Sequence, residues 1–146
     1  MFGLRKRLGE LEESNNPIKV CLVGAGLMGK GLVSQLMRVD GMTPSVVVSN
    51  KVQDCVDAYT MAGIHKSDVV VARNTSDIDN AVRAGKFVAT DLWDMAVRAG
   101  MTDVVVDATG VPDTGARIAT TSIMQGKDIV MLNVESDVVV GPYLNR

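Results

Sequence analysis

The run Gly24-Ala25-Gly26-Leu27-Met28-Gly29 constrains this chain more than any other feature, because of what stands on either side of it. Before it, Ile18-Lys19-Val20-Cys21-Leu22-Val23 is a short apolar run, rich in β-branched residues, that stops at Gly24 and reads as a buried strand. After it, Leu27 to Arg38 carries Leu32, Val33, Leu36 and Met37 at helical spacing and closes at Asp40-Gly41. In that setting each glycine has a task. Gly24 allows the tight turn, Gly26 lets backbone approach a pyrophosphate with no Cβ in the way, and Gly29 lets helix and strand pack closely. The amides that open the helix, at Leu27 and Met28, then face the phosphate charge. Taken alone, such a motif has a plainer reading, a tight turn in a protein that binds another nucleotide or nothing. The flanking strand, the apolar helix and a second strand at the expected distance select dinucleotide binding.

The same alternation continues along the chain. Residues 1–16 read as an N-terminal helical segment, with Leu4, Leu8 and Leu11 at helical spacing, ended by Asn15-Asn16-Pro17. Val46-Val47-Val48 is a second strand and Val52 to Ala62 a second helix of the repeating unit. Val69-Val70-Val71-Ala72 and Phe87-Val88-Ala89-Thr90 both read as strands, with a helix from Asp77 to Ala84 between them, but their places in a sheet are left open. Asp91 to Ala99 reads as helix, Asp103 to Asp107 as strand, Thr114 to Gln125 as helix and Asp128 to Leu132 as strand. A final strand is expected at Val138-Val139-Val140, leading into Gly141-Pro142. Strands alternating with helices, joined by connections too long for hairpins, predict an α/β fold. It is a doubly wound (Rossmann) mostly parallel sheet with helices on both faces, over residues 17–146.

Composition narrows the partners. The chain is 47% hydrophobic and only 3% aromatic, which suits buried aliphatic strands under helices. A net charge of −2 with no long basic run gives no electrostatic footprint for nucleic acid or for a membrane surface, and Arg5, Lys6 and Arg7 read as a solvated helix face. No stretch approaches the roughly 20 apolar residues of a membrane span. Cys21 and Cys55 are too few for a disulfide framework, and a reducing cytoplasm is expected. The expected partner is a small-molecule substrate, with a homo-oligomer also open.

Cofactor choice is set about 20 residues past the glycine loop, where an acid would hold the ribose 2′-hydroxyl of NAD. Here stand Ser49-Asn50-Lys51. A 2′-phosphate would meet no repulsion and could pair with Lys51, so NADP(H) is favoured over NAD(H), with Arg73 a candidate second contact. At the carboxyl end of a later strand, Thr109 and Gly110 within Asp107-Ala108-Thr109-Gly110-Val111-Pro112 are candidates for the pyrophosphate or nicotinamide ribose. Asn133 is a candidate for the nicotinamide side. Glu135 is read as a helix-capping or surface residue rather than a catalytic one. His65 has no paired acid in view, neither cysteine belongs to a CxxC, and one histidine cannot build the usual zinc ligand set.

Three stretches together resemble a known family: Asn16-Pro17-Ile18-Lys19-Val20 running into the glycine loop, Asp103 to Gly110, and Val130-Met131-Leu132-Asn133-Val134-Glu135. They resemble the homoserine dehydrogenase-like family of SAF-domain oxidoreductases, with the nearest likeness to the 1-deoxy-D-xylulose 5-phosphate reductoisomerase-like proteins. The likeness covers nearly the whole chain. Its more discriminating part is Asn133-Val134-Glu135 followed by Val140-Gly141-Pro142-Tyr143-Leu144. The resemblance implies NADP(H)-dependent reduction. It also implies that a catalytic domain and a SAF-like domain follow this one in full-length relatives, holding most substrate ligands and any metal. The sequence departs from the family at Asn50, where many relatives place an acid. A reading of another class, a non-catalytic nucleotide-binding sensor or assembly module, shares the same glycine loop.

Overall fold

The computed structural model describes residues 2–144 of the chain. Met1, at the head of the expected N-terminal helix, and Asn145 and Arg146, at the tail of the final run, lie outside the described residues. Six strands form one sheet: β1 (Ile18–Val23), β2 (Met42–Val48), β3 (Val69–Val71), β4 (Phe87–Thr90), β5 (Val104–Asp107) and β6 (Asp128–Met131). Their order is β3-β4-β2-β1-β5-β6 and every neighbouring pair is parallel. The helices are α1 (Phe2–Glu13), α2 (Leu27–Leu36), α3 (Val52–Met61), α4 (Thr75–Arg83), α5 (Trp93–Arg98), α6 (Pro112–Met124) and α7 (Val134–Leu144). This is the expected doubly wound α/β architecture.

Alternation along the strands divides the core in two. Val20 and Leu22 of β1, with Val47 and Ala89, pack against Val33 and Leu36 of α2 and Cys55, Ala58 and Tyr59 of α3. Cys21 and Val23, with Val46, Val48 and Val105, pack on the other face against Ile78 of α4, Val97 of α5 and Ile118 of α6. Burying each such valine or leucine stabilises the fold by about 1.5–3 kcal/mol relative to leaving it exposed. The buried Tyr59 hydroxyl lies 2.8 Å from the Pro44 carbonyl and 3.1 Å from that of Val88, so α3 is tied to two strands at once.

The sheet order resolves what the sequence leaves open. β4 sits between β3 and β2, so the crossover from β2 passes over one position and the chain then returns to fill it. The residues explain the order. Val88, Ala89 and Thr90 are buried, as an inner strand requires, whereas the three-residue β3 leaves Val71 half exposed, as an edge strand can. α1 packs on the outside of the domain, where the Glu12 carboxylate accepts a 2.8 Å hydrogen bond from the Gly41 amide at the entry to β2.

One expectation fails. Val138-Val139-Val140 is not a strand but the middle of α7. The Asn133 side chain accepts from the Ser136 amide (3.2 Å) and its carbonyl accepts from the Asp137 amide (3.0 Å), which starts a helix there. Glu135 and Asp137 in the first turn suit the positive helix end. Local capping therefore overrides the β preference of three valines.

Half-buried Lys127, just before β6, closes the end of α5. Its ammonium donates to the carbonyls of Val97 (2.7 Å) and Ala99 and to the Thr102 hydroxyl (2.7 Å), satisfying groups the helix leaves open. Burial lowers its pKa. Burial likewise pushes both thiols, Cys21 and Cys55, up to about 12. Neither cysteine should therefore react with a disulfide-exchange reagent at pH 8 in the native protein, and both should react in denaturant. Rapid labelling of a native thiol would contradict this packing.

Candidate dinucleotide site

The chain reverses its direction of winding between β1 and β5. From β1 it proceeds to β2 and outward, and from β4 it crosses back to β5 on the other side. The crevice at the carboxyl ends of these two strands is where an open α/β sheet offers a ligand site. Its floor is locked by backbone: Gly24 N donates to Val48 O and Ala108 N to Val23 O, both at 2.8 Å.

The three glycines occupy three different environments. Gly24 has φ +112°, and a Cβ there would lie 2.5 Å from the Ala108 carbonyl. A Cβ on Gly29 would run into the carbonyl of Gly24, so this glycine is what permits α2 to sit against the turn. Gly26 differs from both: it has ordinary backbone angles and a Cβ there would meet nothing within 4 Å. It is the N-cap of α2 and supplies no side-chain cap, so no side chain serves the helix amides on that open side. A helix of ten residues that opens with uncapped amides beside a cleft is suited to a phosphate.

The cleft holds about 220 Å³ and runs along the strand ends. Gly24 and Gly26 form its middle, Ser49 and Asn50 continue it beyond β2, Asp91 and Trp93 beyond β4, and Ala108, Thr109, Val111 and Thr114 close the β5 side. Leu27 and Met28 are exposed on the first turn of α2 and stand outside this wall. Lys51 also stands outside it, exposed and extended immediately before α3. Arg73 is exposed just after β3. Gly110 takes a left-handed conformation, φ +67°, in the exposed turn beside Thr109.

Behind the β5 side lies a buried polar cluster that gives Asn133 a different place from the one sequence suggests. Asn133 is 1% exposed. Its amide nitrogen donates to the Thr109 hydroxyl (3.3 Å) and the Val111 carbonyl (3.0 Å), while its oxygen caps α7. Asn133 therefore touches the cleft through Thr109 rather than directly. Asp107 completes the support, one carboxylate oxygen accepting from the Thr109 amide (2.9 Å) and hydroxyl (2.8 Å). Its other oxygen is, among the described residues, the only buried side-chain nitrogen or oxygen without a hydrogen-bond partner. Ser136 donates to Pro112 O (3.0 Å), and Gly115 is small because a Cβ would meet Asp107, Asn133 and Ser136.

The sequence reading gives no role to Asp107, Ser136, Asp91 or Trp93. Asp107 carried the one available signal, an acid ending an otherwise apolar strand. Glu135 is exposed in the first turn of α7, and His65 is exposed and bonded to Ser67 at 2.7 Å. Among the described residues no group of three or more His, Cys, Asp or Glu side chains could hold a metal ion, and no helix is long and apolar enough to cross a membrane.

Sheet order, glycine loop and switch-point cleft together define a Rossmann-like α/β fold. The chain matches no protein-family model and no curated protein. Solved structures share the fold. It is similar to scyllo-inositol dehydrogenase from Lactobacillus casei, solved with NAD(H) and scyllo-inositol (TM-score 0.58, 14% identity, 88% of this chain and 34% of that one). It is also similar to 1-deoxy-D-xylulose 5-phosphate reductoisomerase from Zymomonas mobilis, solved with NADPH (0.55, 22%, 88% and 35%). A third is GenD2 from gentamicin A biosynthesis, solved with NAD (0.55, 23%, 79% and 26%). The chain thus spans about a third or less of each of these proteins.

Replacing Asn133 by Leu, similar in size but unable to bond, should cost about 3 kcal/mol, because the Val111 carbonyl and the first turn of α7 lose partners. Urea denaturation measures this directly. A loss below about 0.5 kcal/mol would show that the buried cluster does not hold the loop.

Proposed function

We propose that this chain is the cofactor-binding domain of an NAD(P)-dependent oxidoreductase and that it favours NADP(H) over NAD(H). The observation that carries the reading is Gly26: its missing Cβ points into open cleft at the uncapped start of α2, over the switch point of the sheet. Gly24 and Gly29 hold the turn in place while the first amides of α2 take the pyrophosphate. Asn50 serves the adenosine ribose, and Lys51 beside it reaches back on its four-carbon stem to a 2′-phosphate. Thr109 and Gly110 line the nicotinamide side, with Asn133 and Asp107 fixing Thr109 from behind.

The cofactor, when bound, supplies the two-electron redox chemistry, and the protein supplies binding and orientation. The cofactors printed for the three similar structures, NAD in two and NADPH in one, support a dinucleotide and leave the 2′ position to this chain's own residues. The resemblance to homoserine dehydrogenase-like and reductoisomerase-like proteins supports a small-molecule substrate reduced with the help of residues beyond this domain. Two exposed sheet edges, at β3 and β6, support self-association into a homo-oligomer.

Calorimetric titration of the purified chain with NADPH and NADH tests the reading. Gly26→Val should abolish NADPH binding while leaving the melting temperature nearly unchanged, because the added side chain enters the cleft and no protein atom. Undiminished affinity would remove the glycine loop from the site. Lys51→Ala should weaken NADPH about tenfold and leave NADH as it was, the loss expected for one charge-assisted phosphate contact. Tighter binding of NADH than NADPH by the unaltered chain would overturn the cofactor preference.

A further inference from the structure

We infer that a basic pocket at the amino ends of the strands, at the opposite end of the sheet from the dinucleotide cleft, binds a small phosphate monoester. The pocket holds about 320 Å³. It is lined by Lys19 at the start of β1, by Thr43 and Ser45 of β2, and by Arg83 and Lys86 on either side of the turn from α4 to β4. That volume lies at the lower end of the roughly 300–1,000 Å³ of small-molecule sites, and it takes a phosphate with a short organic remainder. Four residue steps of extended strand, about 13 Å, separate Ser45 from Ser49 in the cofactor cleft. The two sites share no lining residue.

Charge decides the class of ligand. Three cations and, among the described residues, no acid line the pocket. The Asp68 carboxylate takes up Lys86 at 2.7 Å. Lys19 and Arg83 meet no carboxylate: the Lys19 ammonium donates at 3.4 Å to the Asn16 side chain and the Pro17 carbonyl, and the Arg83 guanidinium donates to the Asn80 side chain at 3.1 Å. Two acids near the pocket, Asp79 and Asp103, are turned to main chain and accept from the amides of Gly100, Met101 and Lys19. The two cations left without a carboxylate match the charge of a phosphate monoester, about −1.5 to −2 at neutral pH, and exceed the single charge of a carboxylate. Arg83 offers the planar fork and Lys19 the point charge that phosphate oxygens accept from.

Ser45 supplies an independent sign of a ligand. It is 5% exposed, and its hydroxyl has no hydrogen bond among the described residues. Unlike the sealed oxygen of Asp107, that hydroxyl opens on the pocket. A hydroxyl so nearly buried is costly to leave unbonded, and a phosphate oxygen accepts from it. β2 is bulged at this point, with Pro44 and Ser45 opposite the single Val20, and such bulges re-aim side chains. Thr43 brings a second hydroxyl to the same wall.

Backbone amide NMR of the purified chain, titrated with inorganic phosphate, glycerol phosphate and acetate at constant ionic strength, tests the site. Both phosphates should shift the amides of Ser45, Arg83 and Lys86 saturably, glycerol phosphate at the lower concentration, and acetate should not. Arg83→Gln should weaken phosphate about tenfold and Ser45→Ala about fivefold. Neither should move the melting temperature much in the absence of phosphate, since Arg83 is exposed and Ser45 loses only an unbonded hydroxyl. Gly26→Val, which obstructs the cofactor cleft, should leave phosphate binding at these amides as it was. Shifts that grow without saturating, an affinity unchanged in either pocket variant, or binding lost in Gly26→Val would overturn the site. Acetate bound as tightly as phosphate would overturn the phosphate assignment, and glycerol phosphate bound more weakly than inorganic phosphate would overturn the ester.

Discussion

Everything in this domain depends on how closely α2 approaches the turn after β1. The Gly24 carbonyl faces the Cα of Gly29 with no room for a methyl group between them, and Gly24 in turn stands against the Ala108 backbone. At these two glycines, helix, turn and neighbouring strand therefore meet through main chain. No side-chain rearrangement could relieve a substitution at either glycine, because backbone would have to move. The approach also decides where the first amides of α2 point. A helix pushed outward by even a small side chain would carry its positive end away from the strand ends, and the cleft would lose its floor.

The sheet gives that contact a rigid support. Val46, Val47 and Val48 of β2 are almost fully buried although they face opposite sides, which is the mark of a parallel strand covered on both faces. Tyr59 reaches across from α3 to two strands, and its hydroxyl is met by the carbonyls of Pro44 and Val88. Lys127 does the same for the end of α5. Polar groups are thus used at the joints between elements, and apolar ones within the two layers.

Much of this was legible in the sequence, and the reason is local. β1, β2 and β4 stop at Gly24, Ser49 and Asp91, α2 and α4 carry apolar stripes, and the glycine loop ties the first strand and helix together. What was not legible depended on contacts distant in the chain. The placement of β4 inside β3 follows from burial of Val88 and Ala89, which no window around them reveals. The three valines at 138–140 carry a strand signal, and it was defeated by an asparagine five residues earlier whose amide also reaches Val111. Asn133 was expected at the ligand because it follows a strand end. Its burial shows that a residue at the right end of the sheet can still lie one layer behind the surface.

The tie between α7 and the β5–α6 loop gives the cleft a mechanical partner. α7 leaves Val134, Val138, Val139 and Tyr143 largely exposed, yet its first turn is bonded through Asn133 and Ser136 to Thr109, Val111 and Pro112. The outer surface of α7 is thereby joined to the wall of the cleft by a handful of buried hydrogen bonds, with Gly115 leaving the room in which they form.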